Sequence, residues 1–249
     1  MNFSMKNLKS ILEGSILFGL ISIFASQLLV DYLNYKNVKK YLVKEKDIIS
    51  ISSKENLGKP PSLKNINLVK EIANKNFKEA IKEIDSIEKA EIYVQNYLFY
   101  KKDIINDKEV EYYACFKKIH ERKTDDCDGM AIAAAALLSD DGYPAYLLRL
   151  YENFKEGHVV FLYKVNGKFG SIGHTNQDNY PPRFNKVSDL VKKISKGMEA
   201  NYKRYEIINL SKYNKEFIDV DINHDPGKKY QGIFDKTANW IGRKIAQKD

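Results

Sequence analysis

The clearest hydrophobic pattern in this chain is an almost uninterrupted apolar run over residues 130–138, which includes four consecutive alanines. Thr124, Asp125 and Asp126 precede it, and because Thr and Asp are favoured at helix N-caps, the pattern predicts a buried helix that begins near Cys127. Further on, apolar residues over 159–165 end in an Asn-Gly pair. That pattern predicts a β-hairpin with a type I′ turn and a second strand at residues 168–172.

Weaker hydrophobic patterns lie on both sides of this predicted helix and hairpin. Residues 68–84 and 87–100 show helical spacing of apolar positions, and both helices are expected to pack in front of the core. Residues 187–198 are amphipathic, and residues 205–210 read as a strand that completes the sheet. Between them, the polar segment 175–185 carries two prolines and predicts a loop near the hairpin that could line a substrate groove.

The N-terminal region predicts a membrane anchor. Residues 14–30 are 17 positions without a formal charge. With Ile11 and Leu12 the apolar stretch, interrupted by Glu13, becomes just long enough to cross a bilayer. A cleaved signal peptide fits less well, because the small-residue pattern around Ala25 and Ser26 is poor. A buried soluble helix is the other alternative. The side of the membrane stays open, since the lysines after the anchor favour the cytoplasm and a signal-anchor would place the domain outside.

These patterns divide the chain into four parts. A Ser-rich segment with a Gly-Lys-Pro-Pro sequence predicts a linker, and the C-terminal segment predicts an amphipathic helix with a basic face. That last helix would dock on the core or lie on an anionic membrane surface. The predicted parts are an anchor at 1–35, a linker at 36–66, the main domain at 67–222 and the C-terminal helix at 223–249.

Composition narrows the function classes. The net charge is +8, from 41 basic and 33 acidic residues among 249. The basic residues are mostly dispersed lysines without interleaved aromatics, so no nucleic-acid partner is predicted. Of the two cysteines, Cys115 lies in an apolar stretch and is expected to be a small buried hydrophobe. The spacing of Cys and His residues does not suggest zinc, and neither a metal nor a cofactor is predicted.

Cys127 is the predicted nucleophile. A thiol in the first turn of a helix feels the positive end of the helix dipole, which favours the thiolate. Three neighbouring carboxylates oppose this unless they cap the helix or face water. Asp125 or Asp126 is expected to cap the helix and Asp128 to complement its dipole, so full activation of the thiol depends on a nearby histidine. His158 begins the predicted strand 31 residues later. A cysteine at a helix start and a histidine at a strand start are typical of thiol hydrolases, in which the two meet in space.

Several segments in this order resemble the transglutaminase-like superfamily. They are residues 125–131, residues 142–148, Gly157-His158-Val159 and residues 166–172, within a stretch of resemblance from about 92 to 210. The resemblance implies an α+β, papain-like core in which the nucleophile at a helix N-terminus packs on an antiparallel sheet. It also implies a cysteine peptidase or amidase, or a cross-linking acyltransferase.

The chain departs from the superfamily at the third catalytic residue. The resemblance implies an aspartate in the second hairpin strand, where this chain has Gly173. Asn176, Asp178 and His174 are the nearest substitutes. Asn176 is the preferred candidate because an amide carbonyl can orient an imidazole, as in papain-like enzymes. His120 and His224 lie outside the motif, and His120 is expected to be a solvated surface residue.

The expected reaction is attack of Cys127 on an amide carbonyl, with His158 as base and then acid, through a thioester that water releases. The expected partners are a peptide or protein substrate and, through the N-terminal helix, a membrane. The alternative is a membrane-tethered binding module that keeps the groove and has lost the chemistry. Its main support is the missing aspartate.

Overall fold

The computed structural model describes residues 42–221, except 54–56, 59, 103, 106–107, 110–112, 153–154, 214 and 220. These residues belong to one compact unit, Tyr41–Asn223. The predicted anchor and the predicted C-terminal helix lie outside the described residues. Within the described part of the chain, no helix is long and apolar enough to cross a membrane.

The described chain is a mixed α+β structure, as predicted. Its helices are α1 Leu63–Ala73, α2 Phe77–Glu83, α3 Ile87–Tyr97, α4 Phe116–Arg122, α5 Cys127–Leu137 and α6 Val187–Gly197. Its strands are β1 Phe99–Tyr100, β2 Ile104–Ile105, β3 Lys108–Glu109, β4 Thr124–Asp125, β5 Tyr146–Glu152, β6 Lys155–Val165, β7 Lys168–Ile172, β8 Tyr180–Phe184 and β9 Tyr202–Asn209. Short 3-10 helices cover Glu45–Asp47, Leu210–Tyr213 and Glu216–Ile218.

Strands β5 to β9 form one antiparallel sheet in the order β8-β7-β6-β5-β9. The β6–β7 hairpin turns at Asn166 and Gly167, which both have positive φ, at 49° and 80°. A type I′ turn requires positive φ at both central positions, so the predicted hairpin is confirmed. The predicted strand near residues 205–210 is confirmed as β9, which forms one edge of the sheet.

Both faces of the sheet are covered. Every residue of β6 from Val159 to Tyr163 is buried. Because successive strand residues point to opposite faces, neither face of the sheet is open to water along this stretch. Helix α6 contributes its apolar face to one cluster, with Val187, Leu190 and Ile194 against Leu148 and Val160. Helix α5 packs along β6 and β5 and also contacts α3 and α4.

Helix α5 lies at the centre of the helical layer. All residues from Asp128 to Leu137 are buried. Its alanines add almost no width to the helix, so neighbouring elements can approach it on every side. The predicted buried helix beginning at Cys127 is confirmed.

Two predictions about the N-terminal part need correction. The single helix predicted over residues 68–84 is broken, because the Asn76 side chain accepts hydrogen bonds from the backbone N–H groups of Lys78 and Glu79 and so starts a new helix. The predicted linker 36–66 is also partly structured. Val43 N–H donates to the carbonyl of Ile207 at 2.9 Å. Ile48 is buried in the hydrophobic core, because apolar side chains of this segment pack against the sheet.

A buried polar network joins α1, α3 and α4. The Tyr93 hydroxyl lies 2.7 Å from His120 Nδ1, and His120 Nε2 lies 2.7 Å from the carbonyl oxygen of Lys75. Because a carbonyl only accepts, Nε2 carries the proton and Nδ1 accepts from Tyr93. Lys123 Nζ donates to Tyr93 Oη and to the carbonyl of Ala73. His120 is therefore buried, and its prediction as a solvated surface residue was wrong, whereas the predicted burial of Cys115 is confirmed.

This network predicts acid sensitivity. Burial, aided by the charge of Lys123, lowers the pKa of His120 below its ordinary value of 6.5, against the opposing effect of the Lys75 carbonyl. The unfolded chain therefore binds a proton at His120 before the folded chain does, and His120 lowers the free energy of unfolding as the pH falls below about 6.5. We expect His120→Gln to flatten the dependence between pH 7.5 and 5 in urea titrations. An unchanged slope would contradict this role for His120.

Candidate active site

The segment that leads to Cys127 is held by backbone pairing. Strand β1 pairs in parallel with β4, and Phe99 N–H donates to the carbonyl of Lys123 at 2.8 Å. Lys123 ends α4 in the left-handed conformation, with φ 55°, and its half-buried side chain belongs to the polar network described above. The backbone that leads from Lys123 to Cys127 is therefore held in a fixed direction.

Asp126 caps the nucleophile helix. Its carboxylate accepts the backbone N–H of Asp128 at 3.2 Å, and Cys127 is the first residue of α5. The predicted capping role is confirmed for Asp126. Cys127 is half-buried, unlike Cys115, which is shielded from water. The thiol therefore combines a helix start with access to solvent, which is the setting of a reactive cysteine.

Asp125 anchors the same loop from inside. Its side chain is fully buried and pairs with Arg122 in the preceding helix, and its Oδ1 accepts the backbone N–H of Asp126 at 2.9 Å. A Cβ built on Gly129 would lie 2.1 Å from Asp125 Cγ. Only glycine at that position leaves room for the carboxylate beneath the first turn of the helix.

His158 lies on β6 and is buried. Its Nε2 is 2.8 Å from Oδ2 of Asp178, which is completely inaccessible to solvent. The preceding residue, Gly157, allows an aromatic ring to approach, since a Cβ there would be 3.0 Å from Cε1 of Tyr202. A carboxylate therefore holds one edge of the His158 ring, and the Tyr202 ring lies close to the backbone at Gly157.

Asp178 is an ionised acceptor held by its own turn. Its Oδ1 accepts both the backbone N–H and the hydroxyl of Thr175, each at 2.9 Å, and the Ser171 hydroxyl donates to its carbonyl at 2.7 Å. Burial alone would raise the pKa of the carboxyl, but the contacts with His158 and His174, the charge of His158 and the Thr175 N–H hold that pKa well below its usual value. A carboxylate only accepts, so the contact with Asp178 requires a proton on His158 Nε2, and in the neutral imidazole Nδ1 is then the nitrogen that can take up a proton.

Asn176 does not orient the imidazole. It lies exposed in the turn that follows β7, whereas Asp178, two residues later, is buried against His158. The preferred sequence candidate is therefore corrected to Asp178, which was one of the three alternatives. The turn decides the outcome, because the hydrogen bonds from Thr175 direct the Asp178 carboxylate inward.

His174 occupies a supporting position. Its Nδ1 is 3.5 Å from the same Oδ2 of Asp178 and makes no hydrogen bond, so it does not replace the carboxylate as orienter of His158. Its ring stacks on Tyr100 of β1, with centroids 4.8 Å apart. Tyr100 is about half exposed, so an aromatic surface lies beside the buried carboxylate.

Tyr202 is a site residue that sequence reasoning missed. Its ring stacks on that of His158, with centroids 6.4 Å apart and an interplanar angle of 16°. Burial, followed by the charges of Cys127, Glu152 and Asp178, raises the pKa of its hydroxyl to about 12. Its position at the start of an edge strand leaves no signal in the sequence.

One group of carboxylates has the spacing of a cation site. Oxygens of Asp125, Asp126 and Asp128 lie within 4.8 Å of one another, and oxygen ligands suit hard cations such as Ca²⁺ and Mg²⁺. Two of the three are already engaged within the chain, since Asp125 pairs with Arg122 and Asp126 caps α5. Capping and ion pairing account for these two acids without a metal.

Comparisons with known proteins place this chain at a distance from its neighbours. No protein-family model matches it, and neither does any curated protein. Among solved structures it is similar to Legionella pneumophila LapG, at 15% sequence identity and a TM-score of 0.31. The similarity covers 50% of this chain and 65% of that chain, which is less than two thirds of its length. A likeness this distant carries no conclusion about activity.

Proposed function

We propose that this chain is a cysteine-dependent acyl-transfer enzyme that hydrolyses a peptide or amide bond. The observation that carries the proposal is the buried His158–Asp178 pair, joined at 2.8 Å, in a chain whose half-buried Cys127 is the first residue of helix α5. A nucleophile, a base and an orienting carboxylate on separate elements form the arrangement that thiol hydrolases share.

In the proposed mechanism, His158 Nδ1 takes the proton from the Cys127 thiol, and the thiolate forms a bond to the carbonyl carbon of the substrate. The backbone N–H of Cys127 contributes to binding the oxyanion. The tetrahedral intermediate collapses as the C–N bond breaks, and His158 returns its proton to the leaving amine. Water, deprotonated by His158, then attacks the thioester and releases a carboxylic acid and the free thiol.

The resemblance of the motif order to the transglutaminase-like superfamily supports the same chemistry. That resemblance implies peptidases or amidases more often than cross-linking enzymes among microbial members, so the proposed acceptor is water and the proposed substrate is a peptide or protein. The proposal includes tethering to a membrane through residues 14–30. The alternative, a binding module without chemistry, loses its main support because Asp178 supplies the carboxylate that Gly173 lacks.

The two cysteines allow a matched test of the nucleophile. Iodoacetamide labelling, followed by mass spectrometry, is measured from pH 4 to 9 in the full chain and in Cys127→Ser and Cys115→Ser. We expect fast labelling that persists below pH 7, is lost in Cys127→Ser and remains in Cys115→Ser, because burial shields Cys115 and raises the pKa of its thiol. Slow labelling of Cys127 with the profile of an ordinary thiol would contradict the enzyme proposal.

The reaction itself is tested with a peptide mixture. The full chain is incubated with peptides of varied sequence, and new termini and any acyl adduct on Cys127 are identified by mass spectrometry. Hydrolysis predicts new carboxyl termini that incorporate ¹⁸O from labelled water, whereas cross-linking predicts peptide–amine conjugates when a primary amine is added. Cys127→Ser should give neither product.

A further inference from the structure

The space beside Gly173 is filled by the carboxylate of Asp178. A Cβ built on Gly173 would lie 2.2 Å from Asp178 Cγ and 2.4 Å from each carboxylate oxygen. Contacts under 3.0 Å essentially never occur at a real Cβ, so any side chain at position 173 would displace the carboxylate from its present place. The residue that cannot itself orient His158 is thus the residue that leaves room for the one that does.

Backbone conformation does not explain this glycine. Gly173 is not among the positive-φ residues, which include Gly142 and Gly167, so its backbone is one that an L-residue can adopt. The requirement at position 173 is therefore space and not torsional freedom.

The carboxylate has little freedom to move away. Thr175 holds Oδ1 through two hydrogen bonds, Ser171 holds the Asp178 backbone carbonyl, and His158 and His174 flank Oδ2. The side chain is completely inaccessible to solvent. An added methyl group at position 173 would therefore break the contact with His158 or distort the turn that carries Asp178.

We infer that Gly173 is a positioning residue of the active site, because its missing side chain creates the space from which Asp178 orients His158. This inference rests on the proposed function, in which His158 is the general base. Asp178 supplies the orienting carboxylate from the turn after β7, and Gly173 at the end of β7 leaves space for it.

A double-mutant cycle tests the inference. We expect Gly173→Ala to slow Cys127 labelling at pH 6 as much as Asp178→Ala does, by about 10²-fold or more, the size of a general-base contribution. In the Asp178→Ala background the same substitution should change the rate by less than about twofold, because the two residues act through one interaction. A wild-type rate in Gly173→Ala, or a further large loss in the double variant, would overturn the inference.

A second readout separates this inference from the proposed function. The imidazole N–H of His158 is followed by ¹H–¹⁵N NMR, where its hydrogen bond to a buried carboxylate protects it from exchange with water. We expect the protected signal in the wild type and its loss in Gly173→Ala, whether or not Cys127 reacts. If Cys127 labels slowly in the wild type but the N–H signal behaves as stated, the enzyme proposal fails and the role of Gly173 stands. Retention of the signal in Gly173→Ala overturns that role.

The control is Gly170→Ala in the same strand. A Cβ there would meet the Tyr163 ring at 2.5 Å and the Tyr180 carbonyl at 2.7 Å, so the crowding is similar but is not directed at Asp178. It should lower stability and leave the His158 signal in place.

If Gly173→Ala does not fold while the double variant with Asp178→Ala does, the clash lies with Asp178 as inferred. If neither folds, Gly173 serves the fold in another way and the inference is overturned.

Discussion

Asp178→Ala is expected to slow alkylation of Cys127 at pH 6, and any hydrolysis of peptides, by about 10²–10⁴-fold. The substitution removes the acceptor that holds His158 Nε2–H at 2.8 Å. Without it the imidazole can rotate or adopt the other tautomer, and Nδ1 is no longer presented as the base. His158→Ala should show a loss at least as large, because it removes the base itself.

Asn176→Ala is the matched control for this prediction. Asn176 belongs to the same turn but is exposed, so its substitution should leave the labelling profile and the peptide hydrolysis rate unchanged. The stopped-flow or mass-spectrometric labelling rates of the two variants are compared across pH 4 to 9. A large loss in Asn176→Ala with little change in Asp178→Ala would reverse the assignment made from the structure.

Arg122→Met is expected to lower the free energy of unfolding by about 3 kcal/mol, the lower end of the range for breaking a buried ion pair. The Asp125 carboxylate would stay buried without this cation, and the same carboxylate holds the backbone N–H of Asp126 at the start of α5. The lower end applies because the Arg122 side chain is 35% exposed and water reaches part of the pair. Urea titration at pH 7 measures the change.

The rescue and the control for this pair follow from its chemistry. Arg122→Met combined with Asp125→Asn removes both charges and should recover part of the lost stability. Lys117→Met changes an exposed cation of the same helix, α4, and should alter the free energy of unfolding by no more than about 0.5 kcal/mol. Equal losses in Arg122→Met and Lys117→Met would show that the Arg122–Asp125 pair contributes little.

The sequence predicted the helix and the hairpin of the site better than the hydrogen bonds between its side chains. The apolar run after Cys127 and the Asn-Gly pair each have one dominant structural solution, a buried helix and a type I′ hairpin, and both were found. The orienting residue was misassigned because which residue of a turn points inward depends on local hydrogen bonds. Here Thr175 directs Asp178 inward, and nothing in the composition of the turn distinguishes Asp178 from Asn176.

The other errors have a related cause. Helical periodicity continued through Asn76, but the first helix ends at Ala73 and the Asn76 side chain caps the start of a second helix. His120 followed two lysines and a single isoleucine, a pattern typical of a surface, yet Tyr93 and the carbonyl of Lys75 satisfy both of its ring nitrogens. Polar residues whose partners are distant in sequence can be buried, and local patterns do not reveal those partners.

The close approach of Gly173 and Asp178 also bears on how such sites change over time. A carboxylate at position 173 and one at position 178 would compete for the same volume, so the two positions should vary together and not independently. A comparison of homologues should then find glycine at 173 wherever an acid stands at 178. A search that requires an acidic residue on the strand alone would overlook every chain in which the turn has taken over that task.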